Sequence, residues 1–180
     1  ALGNMALIHN IRGEFNVSLK IYDEVMLTAE DIYDLHGQAQ TYGNYGIVYK
    51  NIQEYEKSIE NLNLQLSIAE DIGDTYMITC AYNGLGLSYH YLHNFDKSLS
   101  MYSNAIKIEE EISDLHGLAS SYCNQFLTYY DMGELKKAQT SLDAGLKIFK
   151  KVKNERALNL GKYEMSKVYF DNNNFDKAEI

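Results

Sequence analysis

The chain has 180 residues, 46% of them hydrophobic and 23% charged, and its 16 Lys and Arg face 25 Asp and Glu for a formal net charge of −9. That composition excludes a disordered chain, and the acidic balance argues against a nucleic-acid scaffold, because counterion release needs a dense basic surface. No apolar run approaches the roughly 20 residues that cross a bilayer, so neither membrane nor nucleic acid is an expected partner.

In chain order, apolar residues three and four apart predict pairs of helices. The first pair holds a shortened first helix, a turn at Glu14 and a second helix running to Ile32. Next come Leu35 to Ile52, a turn at Glu54 and a second helix to Ile72; then Thr75 to His93, a turn at Asn94 and a second helix to Ile112. Leu115 to Met132 follows, with a turn at Glu134 and a second helix to Val152; Glu155 to Asn172 and the turn at Asn174 open a last pair. Asp34, Asp74 and Asp114 are placed to cap the next first helix, and Asn94 and Asn174, each followed by Phe-Asp-Lys, to cap a second. The chain has no proline, so the helix stops are expected to rest on Gly, Asn and Asp.

The pairs repeat every 40 residues. Asp34, Asp74, Asp114 and Asn154 share a register, as do Phe15, Tyr55, Phe95, Leu135 and Phe175. Ser18, Ser58, Ser98, Ala138 and Ala178 form a small column, and Tyr49, Tyr89, Tyr129 and Tyr169 an aromatic one. A fixed period in this range marks an all-α solenoid of stacked antiparallel helix pairs, in which each unit covers its neighbour's apolar face. One domain over 1–180 is expected, in units 1–34, 35–74, 75–114, 115–154 and 155–180. The Tyr column recurs at packing spacing and is assigned to the core.

The segment Tyr82, Leu85, Gly86, Tyr89, Ser98, Tyr102, Ala105 resembles the tetratricopeptide (TPR) signature of an aromatic, Leu-Gly, Tyr, then small, aromatic and Ala. Tyr42, Gly46, Tyr49 and Ser58 repeat it, as do Tyr122, Tyr129, Ala138 and Leu142; Phe126 and Ser166 depart from the Gly, and Gln125 from the Leu. The resemblance implies a right-handed superhelix. The usual repeat has 34 residues, so each pair is about 9 Å of helix longer. This looks like the long repeats of kinesin light chains, Pins-type polarity adaptors and bacterial signalling proteins. Ala1 aligns with Thr41 and Ile180 with Ser100, so both ends are expected to be cut in mid-repeat, with capping units and an output domain beyond.

In this family the first helices line the concave face, which by register implies Ile47, Leu87 and Leu127 in one column and His90, Tyr130 and Phe170 in another. Gly43, Asn83, Cys123 and Tyr163 make a third column, and Asn44, Gly84 and Asn124 a fourth. An Asn amide can pair with a peptide backbone whatever its side chains, or it can bond to the neighbouring helix. Gly84 and Glu164 interrupt this ladder, with Asn83 offered as a replacement one position away. Tyr91, Tyr130 and Tyr163 lie off the core column and are the aromatic candidates. Lys50 is the lone fixed cation at the inward positions of repeats two to four, so an internal segment fits better than a C-terminal carboxylate.

No nucleophile, base and orienting group converge, and no cofactor or metal is expected. His90 and His93 stand three apart without a completing carboxylate or cysteine, and are assigned as surface or groove histidines. His36 and His116 recur with the period and are assigned to structure. Gly84 and Gly86 lie within a helix and form no phosphate loop. Acidic pairs at the ends of second helices are assigned to solvent. The Ala-Leu-Gly-Asn-Met start does not resemble a signal peptide, and Cys80 and Cys123 form no spaced cluster, so the expected compartment is cytoplasmic with reduced thiols. Residues 136–167 carry nine Lys and Arg against Asp143, Glu155 and Glu164, a local balance of +6 read first as a solvated face. Together these features predict a non-catalytic scaffold binding a protein or peptide segment in its groove, as part of a larger signalling or regulatory protein. The alternatives are self-association as a homo-oligomer, and a sensor of a peptide or small ligand controlling an attached kinase or cyclase.

Overall fold

The computed structural model describes residues 2–159, 161 and 163. Among them the elements are helices: α1 (Leu2–Ile11), α2 (Phe15–Asp31), α3 (Leu35–Asn51), α4 (Tyr55–Ile72), α5 (Thr75–Tyr91), α6 (Phe95–Glu111), α7 (Leu115–Asp131) and α8 (Leu135–Lys151). Residues 155–159 begin a further helix. The observed bounds fall within two residues of those expected. The rest of the last pair, with Glu164, Ser166, Tyr169, Phe170, Asn172, Asn174, Phe175 and Ala178, lies outside the described residues.

One geometry closes every helix. A residue of positive φ stands at each twentieth position: Gly13, Tyr33, Gln53, Gly73, His93, Ser113, Gly133 and Lys153. After α2, Tyr33 N–H donates to Glu30 O at 3.1 Å and Asp34 N–H to Ala29 O at 2.8 Å, the paired bonds of a Schellman cap. The same pair recurs at every turn, and its final residue is the N-cap of the next helix. Five of the eight left-handed positions hold Tyr, Gln, His, Ser or Lys, so the stops do not rest on Gly, Asn and Asp alone. The two closing bonds and the start of the next helix over-determine the turn, which offsets the roughly 1–2 kcal/mol of left-handed strain.

The expected aspartate caps are present. Asp34 accepts from Gly37 N–H at 2.9 Å, Asp74 from Met77 N–H at 2.9 Å, and Asp114 from His116 and Gly117 N–H at 3.1 and 3.0 Å. Asn154 does the same for Ala157 N–H at 3.1 Å. Glu14, Glu54 and Glu134 stand at N-cap positions but make no capping bond.

The helices gather into two compact units, Ala1–Asn94 and the part from Phe95 onward. In the first, α3 packs on α2, α4 and α5. The small column acts through hydroxyls: Ser18 Oγ donates to Ala6 O and Ser58 Oγ to Gly46 O, both at 2.8 Å and fully buried. Leu62, 3% exposed, is the knob between α3 and α5; a Cβ on Gly46 would lie 2.6 Å from its Cγ and one on Gly84 2.9 Å from its Cδ2. In the second unit the Gly position holds Phe126 and the serine position Ala138, both buried in one cluster with Leu142. The hydroxyl–carbonyl pairing is there replaced by an apolar pair. Gln125, another departure, accepts from Ser141 Oγ at 2.7 Å.

Glu109 corrects the assignment of the acidic helix ends to solvent, since it is 1% exposed. It follows Tyr102 and Ala105 on one helical face, all three buried, in the column of Ala29 and Ala69. The period of the helix, rather than its run of acids, decides where Glu109 lies.

Candidate functional site: a groove on the first helices

In the first unit, Gln40, Gly43, Asn44 and Ile47 of α3 face Tyr76, Met77, Cys80 and Gly84 of α5 across a hollow of about 200 Å³ floored by Leu62 and Gln65. Two glycines open it. A Cβ on Gly43 would lie 2.5 Å from Gln65 Nε2, and Leu62 already occupies the space a side chain at 84 would need. The ladder is therefore interrupted at Gly84 because the core knob of the preceding pair takes that volume. The Asn44 side chain makes no hydrogen bond to other described residues, which leaves its amide available at the hollow's edge.

The second unit repeats the arrangement two periods on. Asn124 and Leu127, the register equivalents of Asn44 and Ile47, line a hollow of about 320 Å³ with Ser120, Cys123, Phe126, Leu142, Phe149, Ala157 and Gly161. Ile47 and Leu127 are 43% and 39% exposed, an uncovered apolar surface beside each amide. Burial pushes the Cys123 thiol up to about 11, while Cys80 is exposed.

The other candidates separate from these hollows. Asn83 spends its amide on its own helix, donating to Thr79 O at 3.2 Å. Tyr91 stacks on Tyr55 at the end of the α3–α4 pair, with ring centroids 5.3 Å apart and planes 13° from parallel. His90 is 8% exposed with its ring edge-on to Tyr91, so it is a buried histidine rather than a surface one. Tyr130 lies 5.8 Å from the Phe126 ring and packs on the core of its unit. Leu87 is half-buried and Tyr163 is 60% exposed. Lys50 is half-buried, and desolvation holds its ammonium below the usual lysine range.

Of the Tyr column, Tyr49, Tyr89 and Tyr129 are half-buried, and two of them bear the same lid. Lys57 lies 5.6 Å above Tyr49 and pairs with Glu54 at 3.3 Å; Lys137 lies 5.7 Å above Tyr129 and pairs with Glu134 at 3.5 Å. Sequence reasoning missed Tyr76, Gln40, Cys80 and Ser120. The last three form the column one turn before Asn44, Gly84 and Asn124, and that i−4 position was the signal available. Among the described residues, no three His, Cys, Asp or Glu could hold a metal ion, and no helix is long and apolar enough to cross a membrane.

Stacked helix pairs whose first helices line a shallow hollow in each unit define an α-helical repeat protein with an interaction surface. Tetratricopeptide repeat models match residues 39–72 and 77–151, together more than half of the sequence, and the chain belongs to that family. No curated protein matches the sequence. BtubC (BKLC) from P. vanneervenii is similar in structure at 20% identity, with a TM-score of 0.87 over 99% of this chain and 74% of that one. A Rap protein complexed with competence and sporulation factor follows at 16% identity and TM-score 0.84, over 97% of this chain and 49% of its own. The kinesin light chain TPR-like repeats of Podosopora anserina align at 13% identity and TM-score 0.79, over 99% and 88%. Such likenesses concern the fold, and the chain spans about half the length of the Rap protein.

Proposed function

We propose that this chain is a non-catalytic scaffold that holds an extended protein segment along its first helices, within a larger cytoplasmic signalling or regulatory protein. The observation that carries the reading is the repetition of one site: Asn44 beside Ile47 and Asn124 beside Leu127, each lining a hollow at the same register. An asparagine amide offers one donor side and one acceptor to a peptide unit, and the neighbouring apolar surface accepts a side chain. A half-buried Lys50 with weakened basicity makes a poor clamp for a terminal carboxylate, which favours an internal segment. The complex of a Rap protein with competence and sporulation factor supports a ligand on this fold. The reading assigns no cofactor, nucleic acid or membrane.

Cys80 supplies the test, because it lines the hollow and is exposed. Peptides of about ten residues selected by display on the folded chain should slow alkylation of Cys80 on binding. Tight binders that leave its rate unchanged would place the binding surface elsewhere.

A further inference from the structure

The second helices carry a charge pattern that the groove does not use. Their C-terminal turns hold exposed acidic doublets at one register, Glu30–Asp31, Glu70–Asp71 and Glu110–Glu111. Each doublet sits at the negative end of its helix dipole, where acids are unfavourable; Glu110 accepts from Tyr122 Oη at 3.3 Å, whereas Glu30 and Asp31 make no side-chain hydrogen bond among the described residues. In α8 the same two positions are Lys150 and Lys151, and with Lys136 and Lys147 they make an exposed cationic face on which Asp143 is the one acid of the helix. Among the described residues, none of Lys147, Lys150, Lys151, Glu30 and Asp31 forms an ion pair. The end of α2 adds apolar surface, with Leu27 61% and Tyr33 88% exposed beside its doublet.

We propose that the α8 face docks on the α2 end of a second copy, Lys150 and Lys151 meeting Glu30 and Asp31, with Tyr33 and Leu27 at the centre. Charge complementarity at matching positions selects this occupant: the inverted doublet supplies the countercharge, and an exposed tyrosine ring accepts a lysine on its face. The contact uses different surfaces on the two partners, so it is heterologous and leaves a free α2 end and a free α8 face at the extremities of each assembly. It lies on second helices and is independent of the groove reading.

Sedimentation over a concentration series at about 50 mM salt tests the contact, and raising salt to about 500 mM shortens the screening length severalfold. The expected result is a mass that rises above one chain with concentration and returns to it in high salt. Lys150→Glu with Lys151→Glu, and separately Glu30→Lys with Asp31→Lys, should each abolish the rise, and mixing the two variants should restore it. A monomer at every concentration in low salt, association that survives high salt, or association unaffected by either reversal overturns the proposal. The salt series on the unaltered chain can still overturn the contact where a reversal fails to fold.

Discussion

At the scale of the residue, the left-handed positions and the tight glycines make separable predictions. Tyr33 holds φ at 55° and is 88% exposed, so Tyr33→Gly relieves backbone strain at little cost in contacts. After allowing for glycine's larger unfolded entropy, a gain of about 0.5–1 kcal/mol is expected, read as a raised urea midpoint. Gly84→Ala should act oppositely. Its new methyl would meet two Leu62 methyls at 2.9 and 3.0 Å, and overpacking of this kind costs about 1–3 kcal/mol. The thiols differ as sharply: with Cys123 near 11, only about one thiol in a thousand is ionised at pH 8. Dithionitrobenzoate should therefore titrate one thiol of the folded chain rapidly, lose that phase in Cys80→Ser, and reach the half-buried Cys123 in a much slower phase; two equal fast phases would contradict the difference.

At the scale of the element, a helix here is set by its ends more than by its middle. Each C-cap hands its last residue to the next helix as an N-cap, which is why a 40-residue period in sequence becomes a 20-residue period in backbone geometry. Asp34→Ala should destabilise by about 1 kcal/mol, because Gly37 N–H loses its acceptor. Glu54→Ala occupies the equivalent place before α4 without a capping bond and carries only an exposed pair with Lys57, so its effect should stay below about 0.5 kcal/mol. The aspartate column foretold the first kind of cap, whereas nothing in the letters Tyr33, Gln53 or Lys153 marks a left-handed turn. Those turns are fixed by backbone bonds formed once two helices are in place. Glu109 escaped for a related reason: a run of three glutamates looks solvated until the helical period turns one of them inward.

At the scale of the molecule, the repeat made the architecture legible and the groove only partly so. The family resemblance, carried over by register, put Asn44, Ile47, Asn124 and Leu127 on one face of the first helices, and each pair lines a hollow. It could not separate Tyr91 or His90 from them, because the stack on Tyr55 depends on how one helix pair packs on the next. Nor could it foresee that Leu62 would claim the space at Gly84 and Gln65 the space at Gly43. Binding is the property on which the account stands or falls. Calorimetric titration of a display-selected peptide into the chain and into the double variant Asn44→Ala, Asn124→Ala, first shown to melt alike, tests it most directly. Two lost backbone pairings of about 1–1.5 kcal/mol each predict an affinity roughly 100-fold weaker. Equal affinity for both proteins would contradict the groove as the binding surface.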